Sequence, residues 1–69
     1  MSGQEINLRE KFLKAFANLP LNTREEIILV LEESGRKQPI TWNVAYFEVK
    51  NNTARSEDIL KRLERLGLV

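Results

Sequence analysis

The sequence predicts a mainly α fold, a single domain of four helices with at most a vestigial strand. Three observations carry the prediction. Apolar side chains recur at spacings of three and four towards both ends of the chain, helix-capping residues precede the apolar stretches, and the most strand-favouring stretch has no obvious partner strand. At 69 residues the chain makes one domain, which hides only about 60% of the surface its unfolded form exposes.

Residues 1–6 show no apolar period and are expected to form a disordered leader. Asn7, with Glu10 three residues on, makes a capping box for a helix over 7–19. Leu8, Phe12, Ala15, Phe16 and Leu19 line one face of that helix, and Pro20 ends it by disfavouring the helical conformation of Leu19. Asn22 and Thr23 each precede a glutamate by three residues, Glu25 and Glu26, and so announce a central helix that closes near Gly35. Ile27 to Leu31 are apolar on every side, as in a helix buried by its neighbours. The same β-rich run, followed by Glu33-Ser34-Gly35-Arg36 and Pro39-Ile40-Thr41-Trp42, also reads as a β-hairpin, so 25–47 carries two readings.

Thr41 is placed to cap a short helix over 42–49, although Trp, Val, Tyr and Phe there also favour a strand. Lys50-Asn51-Asn52 makes a turn. Thr53 then caps a last helix over 54–66, with Ile59, Leu60, Leu63 and Leu66 as its apolar stripe and Gly67 as its terminator.

Composition removes several classes of chemistry. The chain has no Cys and no His, so disulfides, thiolate or imidazole zinc sites and imidazole acid–base catalysis are absent, and no metal or cofactor is expected. No run approaches a membrane span and no signal peptide is visible, so a cytoplasmic protein is expected and Asn51-Asn52-Thr53 reads as a chance match to a glycosylation acceptor. Glu25/Glu26 and Glu32/Glu33 flank the ends of the central segment as solvated or capping groups, the three glycines are too scattered to cradle a phosphate, and no enzyme activity is expected. Net charge is +1, but residues 1–34 sum to −2 (four Lys/Arg, six Asp/Glu) and residues 35–69 to +3 (seven, four), which makes the second half the candidate binding surface.

The stretches "TREEIILVLEESG", "ITWNVAYFEVKNN" and "TARSEDILKRLERLGLV" follow one another as the parts of a winged helix-turn-helix unit. Residues 23–69 thus resemble the winged helix-turn-helix superfamily, with the four helices arranged around a helix-turn-helix core. The resemblance implies that helix 54–66 enters the major groove of double-stranded DNA and that Gly67-Leu68-Val69 opens a wing lacking its second strand. It also implies a small, dimeric transcriptional regulator. Ala45 would let the two facing helices cross closely.

On that reading Thr53, Arg55 and Ser56 meet base edges. Lys50, Lys61, Arg62 and Arg65 meet phosphates, Asn51 and Asn52 lie at the turn, and Arg36 and Lys37 add a further basic patch. Glu57 and Asp58 oppose such contacts, and the competing reading is a solvated face with Glu57–Lys61 and Asp58–Arg62 as i,i+4 pairs. Trp42, Tyr46 and Phe47 are expected in the core, with a stacking platform for single strands as the alternative. The helix over 7–19 either covers the central helix or forms a homodimer through Phe12, Phe16 and Leu19. The rival to DNA is a protein partner, bound by an interaction module on the same scaffold.

Overall fold

Ser34 and Gly35 hold φ of 51° and 77°, two left-handed residues in succession. Such a pair makes a type I′ turn, whose twist matches that of the strands it joins. The chain is described by a computed structural model covering residues 3–69, with side chains from Leu8 onward. The turn links β1 (Ile27–Glu33) to β2 (Arg36–Thr41) in an antiparallel two-stranded sheet. Helix α1 (Gly3–Ala17) and a single 3₁₀ turn at Thr23–Glu25 precede the hairpin, and α2 (Trp42–Lys50) and α3 (Ala54–Arg65) follow it.

Three helices and a hairpin replace the expected mainly α, four-helix domain. The central helix is the element that does not form. Of its two expected capping boxes only a 3₁₀ turn remains, in which the Asn22 side chain caps nothing, and Glu26 is already extended at ψ 141°. Two causes combine. Ile27, Ile28 and Val30 lose side-chain freedom in a helix but fit a pleated strand. Ser34-Gly35 then permits a reversal that keeps the β-rich run paired, so the hairpin reading of this segment is the one realised. The expected winged unit loses its first helix. After α3, Gly67-Leu68-Val69 forms no strand among the described residues. Instead, Gly67 (φ 78°) ends α3 in a left-handed turn, with Leu68 N–H donating to Leu63 O at 2.9 Å and Gly67 N–H to Glu64 O at 3.0 Å.

The other helices lie close to their expected ranges. Thr41 caps α2, its hydroxyl accepting from Val44 N–H at 3.1 Å. Helix α1 begins ahead of Asn7, whose side chain lies outside the described residues, as do the leader residues 1 and 2. It ends two residues before Leu19, where Asn18 Nδ2 donates to Lys14 O at 3.0 Å.

The hairpin has an inner and an outer face. Leu29 opposite Ile40 and Leu31 opposite Gln38 share one face, and Val30 opposite Pro39 and Glu32 opposite Lys37 the other, with an irregularity between Ile27 and Leu29. Leu31 and Ile40 are buried while Val30 and Pro39 are exposed, so the helices cover the first face alone. A single core joins Leu31 and Ile40 to Phe12 and Phe16 of α1, Trp42, Ala45 and Val49 of α2, and Ile59, Leu60 and Leu63 of α3. Phe12 stacks on Trp42 with centroids 5.8 Å apart, and Phe16 on Tyr46 at 4.3 Å. Phe16 is capped from outside by the Arg24 guanidinium at 4.3 Å, a cation–π contact.

Phe12 and Phe16 are therefore spent inside the chain and are not available for the expected homodimer contact, while Leu19 packs half-buried against the core. Trp42 is core as expected. Phe47 stands 62% exposed, and Leu66 of the expected α3 stripe 59%.

A Cβ at Gly35 would meet nothing within 4 Å, so Gly35→Ala tests backbone conformation without any clash. It is expected to cost about 1–2 kcal/mol through the left-handed φ, lowering the thermal midpoint measured by circular dichroism by roughly 4–16 °C. Phe12→Ala removes a fully buried ring and is expected to lose about 3–5 kcal/mol, enough to leave much of so small a domain unfolded in a urea titration followed by Trp42 fluorescence.

Candidate nucleic-acid interface

Lys50, Asn51, Asn52, Thr53, Arg55 and Ser56 lie on or beside the α2–α3 connection, whereas Lys61, Arg62 and Arg65 lie further along α3 and Arg36 and Lys37 on the hairpin. Lys50 ends α2, and Asn51 terminates it through backbone bonds and through its side chain, whose Nδ2 donates to Phe47 O at 2.8 Å. Asn52 adopts φ 54°, the left-handed conformation that asparagine tolerates best after glycine. Thr53 N–H then donates to Glu48 O at 3.1 Å, and α3 starts in a new direction.

The three residues expected to meet base edges are engaged within the fold. Thr53 sits at the N-cap of α3 but does not cap it with its side chain; its hydroxyl donates instead to the Glu48 carboxylate. Ser56 is 4% exposed, and its hydroxyl donates to Thr53 O at 2.7 Å. Arg55 reaches the hairpin, where its Nη2 lies 3.0 Å from Glu33 Oε1. Ser56 lies three and four residues before Ile59 and Leu60, so the apolar stripe turns it inward even though its polarity suggested the outer face. The Glu33–Arg55 pair joins residues 22 positions apart across an element expected to be helical, and carries no local signal.

The phosphate candidates are mixed. Lys61 and Arg65 are exposed, whereas Arg62 pairs with Asp58 through Nε at 3.2 Å, the i,i+4 pair anticipated for a solvated face. The Lys50 ammonium lies over the Tyr46 ring at 5.7 Å, and the Lys50 carbonyl accepts from Arg9 Nη2 at 3.5 Å. Along α3, Arg55, Lys61, Arg62 and Arg65 are interleaved with Glu57, Asp58 and Glu64, so the exposed face carries a net charge near +1. Arg36 and Lys37 sit at the far end of the hairpin, opposite Glu33 and Glu32, which balance them.

A shallow cleft of about 280 Å³ lies between α1 and the start of α3, lined by Leu8, Arg9, Asn52, Glu57, Leu60 and Lys61. Its two cations face one carboxylate. Among the described residues no group of three or more Asp or Glu side chains is placed to hold a metal ion, and no helix is long and apolar enough to cross a membrane. Comparison of the chain with protein-family models, curated proteins and solved structures finds no match.

The Glu33–Arg55 pair is the one ion pair between the hairpin and α3 among the described residues, with side chains 47% and 35% exposed. A double-mutant cycle of Glu33→Gln and Arg55→Gln is expected to give a coupling of only about 0.2–1 kcal/mol, shrinking further in about 1 M salt. A larger, salt-insensitive coupling in urea denaturation would mean that this pair, not the apolar core, docks the hairpin.

Proposed function

We propose that the chain is a cytoplasmic, non-enzymatic protein-interaction module that does not read double-stranded DNA. One observation carries this reading. Thr53, Arg55 and Ser56, which a groove-entering α3 would turn towards base edges, spend their polar groups on Glu48, Glu33 and the Thr53 carbonyl. Freeing Thr53 and Ser56 would cost the hydrogen bonds that set the start of α3, and freeing Arg55 would cost its pairing with Glu33. What is left exposed on α3 sets Lys61, Arg62 and Arg65 against Glu57, Asp58 and Glu64, a balance that attracts a phosphate backbone only weakly.

A protein partner suits the rest of the surface better. Ile27, Val30, Phe47 and Leu66 are 48–62% exposed, and the hairpin presents strand edge to solvent. Exposed apolar side chains beside an unpaired edge are the features that protein–protein contacts cover.

Fluorescence anisotropy with a labelled mixed-sequence duplex separates the two readings. No binding is expected at about 20 mM or at about 150 mM salt. Affinity at low salt that falls steeply with added salt, and weakens in Arg62→Ala or Lys61→Ala, would overturn the proposal in favour of a DNA-binding regulator.

A further inference from the structure

The two edges of the hairpin are not equivalent. A two-residue turn closes on a hydrogen-bonded pair, here Glu33 and Arg36, and pairs in an antiparallel ladder alternate from there. Leu31–Gln38 and Leu29–Ile40 are then the inward-bonded pairs, whereas Glu32, Val30, Lys37 and Pro39 direct their backbone groups outward. Pro39 fits this phase, since it has no N–H to give the ladder. It also blunts the β2 edge, the usual place for proline in a sheet. The β1 edge has no such device. Among the described residues nothing bonds the outward backbone groups of Val30 and Glu32, and the strand is apolar from Ile27 to Leu31.

Resting on the protein-interaction reading above, we propose that this edge pairs with the β1 edge of a second copy of the chain. The two strands run antiparallel about a two-fold axis at Val30, and two hairpins become one four-stranded sheet. The β1 sequence is self-complementary in that register. Val30 meets Val30, Leu29 meets Leu31, and Glu32 and Glu33 fall beside Ile28 and Ile27 of the other copy. On the outer face the exposed Val30 and Pro39 of both hairpins form one continuous apolar strip, Pro-Val-Val-Pro, across the new sheet.

Charge selects the antiparallel arrangement. A parallel, in-register pairing would set Glu32 on Glu32 and Glu33 on Glu33, and like charges directly opposite destabilise a ladder. The antiparallel one carries each Glu33 to the opposite end of its neighbour's β1. There Leu29 borders a recess of about 160 Å³ whose other walls are Arg62, Arg65 and Leu66. Glu33, which holds Arg55 of its own chain, and the neighbouring Glu32 thus approach the exposed Arg65 at the end of α3, and the exposed Leu66 gains cover. The closed two-fold contact uses both free edges and leaves only the proline-bearing β2 edges outside.

Sedimentation equilibrium from about 1 µM to 1 mM protein is expected to show a monomer–dimer equilibrium in the micromolar range, as befits a contact at the small end of specific interfaces. Val30→Lys, on the exposed outer face, is expected to keep the monomer fold, checked by Trp42 fluorescence, and to weaken the dimer about tenfold or more. Mixing Val30→Lys with Val30→Glu is expected to restore association as a heterodimer. In the unmodified chain, Val30 and Glu32 amides should exchange more slowly as concentration rises, while the Lys37 amide on the β2 edge should not.

A monomer at every concentration would overturn the proposal and leave the edge to a strand from another protein. A dimer indifferent to Val30→Lys, with the Val30 and Glu32 amides unprotected, would overturn it by placing the contact elsewhere. Either result with duplex DNA still unbound leaves the interaction-module reading standing; salt-sensitive DNA binding would defeat that reading itself.

Discussion

An isolated two-stranded ribbon is marginal in water, and here it survives because Leu31 and Ile40 are pressed into a core that three helices complete. Those two side chains lie on the face of the ribbon shared with Leu29, in one cluster with residues from all three helices. The dependence is mutual. Without the hairpin, α2 and α3 would keep only α1 and each other to pack against, and Leu31 and Ile40 would be lost from their core.

The same docking determines the electrostatics of α3. Arg55 lies at the end of the helix nearest the β-turn, and Glu33 lies at the end of β1, so packing the apolar stripe inward brings the two together. Ser56 is drawn inward by the same rotation and satisfies its hydroxyl on the preceding turn. A helix that looks like a free basic surface in one dimension is therefore half committed in three. The charges that remain outside are of both signs in equal number and include one local pair, Asp58–Arg62.

A sheet of two strands has as many free edges as strands, and the two edges here differ in chemistry. The β2 edge carries Pro39 and Lys37, features that discourage pairing; the β1 edge carries a run of aliphatic residues and no interruption at Val30. The asymmetry follows from register. Had the turn been one residue longer, the phase would have shifted, Pro39 would have broken the internal ladder, and Val30 would have turned towards the helices.

How much of this could be read from the chain depends on the range of the forces involved. Helix α2 with its Thr41 cap, helix α3 with its glycine stop, and the inward Ile59, Leu60 and Leu63 follow from contacts within a few residues, and local periodicity carries them. The sequence alone also determined that Ser34-Gly35 could reverse the chain. It could not decide whether Ile27–Leu31 would coil or extend, because an all-apolar run satisfies a buried helix and a strand alike, and the capping signals at Asn22 and Thr23 favoured the wrong one. Tertiary structure decided that. Extension lets β1 bond to β2 while Leu31 and Ile40 share the helices' core, a gain summed over residues far apart in sequence. The fate of Arg55 was settled by the same long-range packing, whereas that of Ser56 lay in the spacing of the α3 stripe, where its polarity misled.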